Sequence, residues 1–232
     1  MGDLELVRVG EVRLAYRTWG EPGGDTPVLL LHCLGADGAD WAVVAPRLAA
    51  GRQVIAVDLR GHGASDRPGE YALEAVRDDV AGLAEALGIA RAVVIGHSYG
   101  GVIAYLLAQA RPALVAKLIL EDVPALLPQD PPLPVPPPPD GPLTLDWAVK
   151  TQFTLARNAP DPRWTEGLAT ITAPTLVIAG GPASHIPQHE VADLADRIPG
   201  ARLRTVEAGH LVHEQRPEAF LAVVAEFLGA AR

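Results

Sequence analysis

The chain has 232 residues, a formal net charge of −9 and a hydrophobic fraction of 49%, which is typical of one globular domain. Its acidic balance, with arginines scattered along the chain, argues against a nucleic-acid or anionic-membrane partner. The single cysteine, Cys33, cannot form an internal disulfide, and no apolar run is long enough to span a membrane. We therefore expect one soluble, cytoplasmic domain over residues 1–232, without a signal peptide.

The predicted elements begin with a hairpin. Residues 4–9 and 12–19 alternate apolar and polar side chains around Gly10, which predicts two antiparallel strands with one solvent-facing side. Six continuously apolar runs then predict parallel strands buried on both faces, at residues 28–31, 54–57, 92–95, 114–120, 175–179 and 203–206. Helical patterns lie between and after them, at residues 41–50, 73–87, 101–110, 190–197 and 218–231. We expect an α/β fold, a mostly parallel twisted sheet of about eight strands with helices on both faces.

A proline-rich segment interrupts this alternation. Nine of the 22 prolines lie between residues 128 and 142, which excludes a helix or a central strand there. Helical spacing resumes over residues 145–156, and Trp164 with Leu168 predicts a second short helix. Three large aromatic residues gather in this region, whereas a disordered linker is poor in them. We therefore expect residues 124–172 to form a small lid.

One serine occupies a setting typical of a nucleophile. Residues 92–101 read AVVIGHSYGG, a G-x-S-x-G motif between a predicted strand and a predicted helix. This setting puts Ser98 on a sharp turn, where only small residues fit at Gly96 and Gly100. It also directs the Tyr99 N–H and the helix N-terminus to the same point, as one half of an oxyanion hole. The chain has only two other serines, Ser65 and Ser184.

A nucleophilic serine needs a general base, and a histidine far downstream is the best candidate. His210 follows the last predicted strand on a loop with Gly209, from which an imidazole can reach the turn that carries Ser98. His213 is the nearest alternative, but its neighbours favour a role at the start of the last helix. His97 adjoins Ser98, and we expect it to point to the other side of the turn, where it packs or forms a hydrogen bond.

Four motifs in order resemble the α/β-hydrolase superfamily. Besides the nucleophile motif, residues 31–35 (LHCLG) look like the oxyanion loop of the family, residues 58–66 (DLRGHGASD) like its D-x-R-G-x-G-x-S loop, and residues 208–210 (AGH) like its catalytic-histidine region. The resemblance covers about residues 6–228. It implies an acyl-enzyme on Ser98, a second oxyanion donor in the Leu34 N–H, and no metal or organic cofactor. It also implies bracing roles for Asp58 and His62.

The acid of the implied catalytic triad departs from the usual pattern. Most members of the family have an aspartate after the strand that corresponds to residues 175–179, and here Ser184 stands in its place. Asp122, at the end of the preceding strand, is our candidate for the acid, an arrangement that resembles some members. Glu207 and Glu190 remain alternatives.

The substrate is less well defined by the sequence. Cys33 stands where the family usually has glycine; its side chain either narrows the acyl pocket or is only a small buried apolar group. Ser98 argues against the branches that open epoxides or displace halides, which use aspartate. We expect a serine esterase for small apolar carboxylic esters, with substrate contacts from Cys33 and from the lid residues Trp147, Phe153, Leu155 and Trp164. Lactonase, thioesterase, C–C bond hydrolase, perhydrolase, hydroxynitrile lyase and a non-catalytic ligand-binding role stay open, as does the oligomeric state.

Overall fold

A computed structural model describes residues 2–229, whose strands form one eight-stranded sheet. The strands are β1 (Asp3–Val9), β2 (Val12–Trp19), β3 (Val28–Leu31), β4 (Val54–Val57), β5 (Ala92–His97), β6 (Val115–Glu121), β7 (Thr175–Ala179) and β8 (Arg202–Thr205). Their spatial order is β1-β2-β4-β3-β5-β6-β7-β8. β1 and β2 are antiparallel to their neighbours, and β3 to β8 run parallel. The expected fold class is thereby confirmed.

Helices cover both faces of this sheet. They are α1 (Ala45–Leu48), α2 (Leu73–Ala86), α3 (Tyr99–Ala110), α4 (Trp147–Asn158), α5 (Pro162–Glu166), α6 (Gln188–Arg197), α7 (Val212–Gln215) and α8 (Pro217–Gly229), with 3-10 helices at Gly38–Val43 and Gly167–Thr170. Successive side chains of a strand point to opposite faces, so Leu29 and Leu31 pack in the core under α2 and α3, whereas Val28 and Leu30 pack in the core under α1 and α8. None of the helices within residues 2–229 has the length and apolar character needed to cross a bilayer.

Three details differ from the sequence expectation. β8 is not buried on both faces: it is an edge strand, and all its residues are exposed. In β1 the two leucines, Leu4 and Leu6, are 50% and 58% exposed, and Val7 and Val9 pack against the core instead. The helix expected at residues 41–50 is a 3-10 helix followed by α1, because Pro46 has no N–H to continue one regular helix. The predicted end of the last helix, residues 230–231, lies outside the described residues.

The segment between β6 and β7 contains α4, α5 and a 3-10 helix after a long stretch without regular structure. Its helical part is held on the body of the protein by hydrogen bonds around Asp146. The Asp146 N–H donates to the Gly61 carbonyl at 2.7 Å, and the Tyr71 hydroxyl donates to the Asp146 carboxylate at 2.6 Å. This places α4 above the loop that follows β4, close to the carboxyl ends of the parallel strands.

Candidate active site

The turn between β5 and α3 has the strained backbone that a nucleophile elbow requires. Ser98 has φ 50° and ψ −114°, a left-handed conformation that costs a residue with a side chain about 1 to 3 kcal/mol. The Ser98 N–H donates to the Glu121 carbonyl at 3.0 Å, which fixes the turn to the neighbouring strand. A Cβ atom at Gly96 would lie 2.4 Å from the Gly100 carbonyl oxygen, so no larger residue fits there. The expected sharp strand-to-helix turn is present.

The start of α3 also packs closely against the loop after β3. A Cβ atom at Gly100 would lie 2.3 Å from the Leu31 carbonyl oxygen, so only glycine permits this approach. Tyr99 is the first residue of α3, and its N–H therefore has no partner within the helix. The loop itself is fixed by His32. This ring accepts the Leu59 N–H at 3.0 Å through Nε2, which leaves Nδ1–H to donate to the Cys33 carbonyl at 2.7 Å.

His210 is held next to this turn through the residue that precedes Ser98. The His97 ring donates from Nε2 to the His210 carbonyl at 2.8 Å, and the two imidazole rings lie 4.6 Å apart. The Gly209 N–H also donates to the Gly180 carbonyl at 2.9 Å, and Gly209 has φ 78°. His97 thus has the structural role expected from the sequence, and it fixes the backbone of His210 beside the elbow.

Asp122 forms the hydrogen bond with His210 that the sequence suggested. Its Oδ2 lies 2.7 Å from His210 Nδ1, and the carboxylate is fully buried. Three further donors satisfy the carboxylate: the Ser184 hydroxyl on Oδ2, and the Gly180 N–H and Gln188 amide on Oδ1, at 2.9 and 3.2 Å. Ser184 occupies the position where most of the family has its acid. Here its hydroxyl instead donates a hydrogen bond to the acid, Asp122. His210 needs neither Glu207 nor Glu190 as a partner.

These contacts determine the charge of Asp122 and the tautomer of the neutral His210 ring. Burial alone would raise the pKa of Asp122, but the hydrogen bonds from His210, Ser184, Gly180 and Gln188 outweigh it and hold that pKa below its usual range. The carboxylate is therefore ionised at neutral pH. Because an ionised carboxylate only accepts, His210 Nδ1 carries the proton, and Nε2 of the neutral ring is free to accept one.

A second histidine–carboxylate pair lies directly behind the first and was missed from the sequence. His213 is fully buried, and its ring Nδ1 lies 2.9 Å from both carboxylate oxygens of Glu121. The backbone N–H of His213 donates to the same carboxylate at 2.9 Å. Asp40 Oδ2 lies 3.6 Å from Nε2, and the Trp41 ring stacks on the imidazole at 4.0 Å. The one sequence signal for a second histidine–carboxylate pair is the three-residue spacing between His210 and His213.

This second pair is charged. Burial alone would lower the pKa of His213. The Glu121 and Asp40 carboxylates outweigh this effect and raise that pKa to about 10. Several carboxylates and rings here are close enough to share a cation, as in the group Asp40, His213 and Glu214. The protonated His213 already supplies their counter-charge, so we assign no metal to the cluster. His213 is also too buried to act on a substrate, which favours His210 as the base.

The expected substrate-contacting residues divide into two groups. The Phe153 ring packs edge-on against the Tyr99 ring at 4.9 Å, so α4 lies over the start of α3. Leu155 on the same helix is 53% exposed. Trp147 donates to the Pro136 carbonyl at 3.0 Å, and Trp164 donates to Glu74 at 2.7 Å. Those two hydrogen bonds favour anchoring of the segment for both tryptophans over contact with a substrate.

Cys33 is half-buried in the loop after β3. Burial raises the pKa of its thiol to about 12, so the thiol stays protonated and is a poor nucleophile at neutral pH. His185 is a further residue that the sequence did not single out. Its ring lies 4.2 Å from the His210 ring, in an edge-on contact on the solvent side. The expected braces are present too, since the Asp58 carboxylate accepts from the Gly38 N–H at 2.8 Å.

Comparison with known proteins shows the same fold. Residues 26–158 match the family model described as alpha/beta hydrolase fold. The chain is 32% identical to the magnesium-chelatase 30 kDa subunit of Rhodobacter capsulatus, over 88% of this chain and 87% of that protein. It is 29% identical to 2-hydroxymuconate semialdehyde hydrolase of Pseudomonas sp. strain CF600, over 91% and 89%. The crystal structure of the enol-lactonase from Burkholderia xenovorans LB400 superposes with a TM-score of 0.83 at 26% identity, over 97% of this chain and 100% of that one.

The chain belongs to the α/β-hydrolase superfamily. Its eight-stranded sheet and the order of its motifs along the chain are those of that superfamily. The activities for which the relatives are named differ, so membership alone does not give the bond that this protein cleaves.

Proposed function

We propose that this protein is a serine esterase that hydrolyses small carboxylic esters through an acyl-enzyme on Ser98. The observation that carries the proposal is the 2.7 Å hydrogen bond between the buried Asp122 carboxylate and His210 Nδ1. This bond orients His210, whose backbone the His97 ring fixes beside the strained Ser98. A serine, a histidine with Nε2 unprotonated and a buried acid are the parts that acyl transfer requires.

In the proposed reaction, the Ser98 hydroxyl attacks the carbonyl carbon of the ester while His210 Nε2 takes its proton. The Tyr99 and Leu34 N–H groups donate to the oxyanion of the tetrahedral intermediate, and the N-terminus of α3 adds a favourable field. His210 then protonates the leaving alcohol. Water, deprotonated by the same nitrogen, releases the acid from Ser98. The ionised Asp122 stabilises the imidazolium in both halves of the reaction.

The side chains around Ser98 favour a modest apolar group next to the reacting bond. Phe153 lies against Tyr99, the residue that follows the nucleophile, so an acyl or alcohol group bound at Ser98 would meet an aromatic surface. Cys33 adds a small apolar side chain to the oxyanion loop, where its protonated thiol contributes shape and no charge. We expect no metal or organic cofactor to take part in this chemistry.

A lactone, a thioester or a vinylogous C–C bond can react with the same serine and histidine. Two relatives are named as an enol-lactonase and a semialdehyde hydrolase, which makes lactone hydrolysis and C–C bond hydrolysis the main alternatives. The magnesium-chelatase subunit among the relatives is not named for hydrolysis, which keeps a binding role without turnover as a further outcome.

The test combines active-site labelling with a substrate panel. A fluorophosphonate should modify Ser98, and mass spectrometry should map the adduct to this residue. The Ser98→Ala variant should keep its fold, take up no label and hydrolyse esters several orders of magnitude more slowly. The panel holds 4-nitrophenyl esters of increasing acyl length, a lactone and a thioester. An adduct on Ser65 or Ser184, or a Ser98→Ala variant with unchanged turnover, would refute the proposal. Binding of the esters without any turnover would support the non-catalytic alternative.

A further inference from the structure

One face of α4 carries two cations that the proposed reaction does not use. Lys150, Phe153 and Arg157 are spaced three and four residues apart, so they lie along the same side of the helix. Phe153 contacts the Tyr99 ring at 4.9 Å, which places this side of α4 over the first residue of α3, directly after Ser98 in the chain. The Arg157 guanidinium lies 5.9 Å from the centre of the Phe153 ring.

Both cations lack an acidic or hydrogen-bonding partner in the part of the chain that the structure describes. Lys150 and Arg157 are half-buried, yet within residues 2–229 neither forms a hydrogen bond from its side chain or a salt bridge shorter than 4.0 Å. The other arginine of the lid segment, Arg163, behaves differently: it bonds to the Asp161 carboxylate at 2.9 Å. In a chain with 28 acidic and 19 basic residues, two unpaired and partly desolvated cations on one helix face indicate a site for an external anion.

The charges of Lys150 and Arg157 act on a residue next to the proposed base. Partial desolvation of the exposed His185 ring, which touches the His210 ring, lowers the pKa of His185, and the fields of Arg157 and Lys150 lower it further. The pKa of Arg157 is also lowered by burial, and the opposing field of Glu190 reaches it without forming an ion pair. The guanidinium nevertheless stays charged at neutral pH.

We propose that Lys150 and Arg157 bind a carboxylate at the far end of the acyl chain, so that the preferred substrates are esters of small dicarboxylic acids. The apolar middle of such an acyl chain would lie along Phe153, and its terminal carboxylate would accept hydrogen bonds from the guanidinium fork and the ammonium group. The Tyr99 ring and the Arg157 guanidinium are each in contact with Phe153 and thus no more than about 11 Å apart. This assignment rests on the proposed ester hydrolysis for its reacting bond.

The test compares two esters that differ in the terminal group. For 4-nitrophenyl hemiglutarate, Arg157→Gln should lower kcat/KM by about 10- to 150-fold, the loss expected for a hydrogen bond to a charged group. For 4-nitrophenyl pentanoate, the same variant should change kcat/KM by less than about 2-fold. Lys150→Gln should act in the same direction. Arg163→Gln, which removes an exposed arginine already paired with Asp161, is the matched control and should affect neither ester.

Salt should weaken hemiglutarate turnover by the wild type more than pentanoate turnover, because it screens exposed charges. Equal effects of Arg157→Gln on the two esters, or a wild-type preference for pentanoate, would overturn the subsite. Binding of glutarate to the inactive Ser98→Ala variant, measured by calorimetry, separates this failure from failure of the proposed function. Glutarate affinity that disappears in Ser98→Ala/Arg157→Gln supports the subsite even if no ester is cleaved; no glutarate binding by Ser98→Ala refutes it.

Discussion

Replacement of Asp122 by asparagine tests the proposed triad at its least usual member. The carboxylate accepts from Gly180 and Gln188 on Oδ1 and from His210 and Ser184 on Oδ2. An asparagine must present an NH₂ group on one of these sides. The Gly180 N–H is a donor only, so the amide oxygen has to face it and the NH₂ has to face His210 and Ser184.

This orientation reverses the tautomer of the base. With an N–H donor opposite, His210 Nδ1 has to accept, and the ring proton moves to Nε2, where it blocks uptake of the serine proton. The same change in a Ser-His-Asp triad lowers kcat by about 10⁴-fold, or about 5.5 kcal/mol in the activation barrier. We expect a loss of this order for Asp122→Asn, with little change in KM, because the asparagine does not touch the substrate.

The assay is single-turnover release of 4-nitrophenol together with the rate of fluorophosphonate labelling. Glu207→Gln is the control, because Glu207 lies near this loop but has no hydrogen bond to His210 among the described contacts. A carboxylate moved to the neighbouring position should restore part of the rate, so Asp122→Asn/Ser184→Asp should recover at least about 10-fold over Asp122→Asn. Losses below 10-fold for Asp122→Asn, equal to those of Glu207→Gln, would refute the argument and leave a serine–histidine dyad.

Further predictions concern the lid and the buried pair behind the site. Phe153→Ala should reorder the preference among acyl chains by about 10- to 200-fold while Ser98 still reacts with the phosphonate. Trp147→Ala should have a smaller effect, since its indole is bonded to a backbone carbonyl of the same segment; an unchanged ranking in both variants would contradict the lid interpretation. His213→Gln should lower the free energy of unfolding by about 3 to 5 kcal/mol in urea titrations, because it leaves the Glu121 charge buried without its partner. The raised pKa of His213, about 10, makes its stabilisation complete below about pH 6.5. That stabilisation should be lost as the pH rises through about 10, so the stability of the wild type should fall more steeply over this range than that of His213→Gln. Equal slopes for the two proteins would disprove the charged His213–Glu121 pair.

The two neighbouring carboxylates at the end of β6 show a limit of sequence reasoning. Glu121 and Asp122 are adjacent in the chain, yet one pairs with His213 and the other with His210. Adjacent residues point to different sides at the end of a strand. The loop after β8 supplies His210 to one carboxylate, and α7 supplies His213 to the other. The sequence places both carboxylates at the correct strand end, but which of them faces the candidate nucleophile depends on the twist of the strand and on the 48° φ of Asp122.

The unpaired cations of α4 were likewise not recognisable beforehand. Helical spacing predicts that Lys150, Phe153 and Arg157 share a face, and that spacing is readable in the chain. Whether the face is turned to solvent or to the site depends on how the segment between β6 and β7 folds back over the body. That path is set by long-range contacts, such as the one between Asp146 and Gly61, which no local pattern encodes.

The sequence by itself determined the elements whose causes are local. Apolar runs gave the strands, and the glycines at residues 96 and 100 gave the turn, because a side chain at either position would collide with backbone. Only the tertiary structure decided which side chains meet. The exposure of β8 follows from its place at the edge of the sheet. The bonds from His210 and Ser184 to Asp122 and the buried charge of His213 depend on contacts between residues more than 60 positions apart. Those contacts follow from packing of the sheet and its helices as a whole, which is a property of the complete chain and not of any segment.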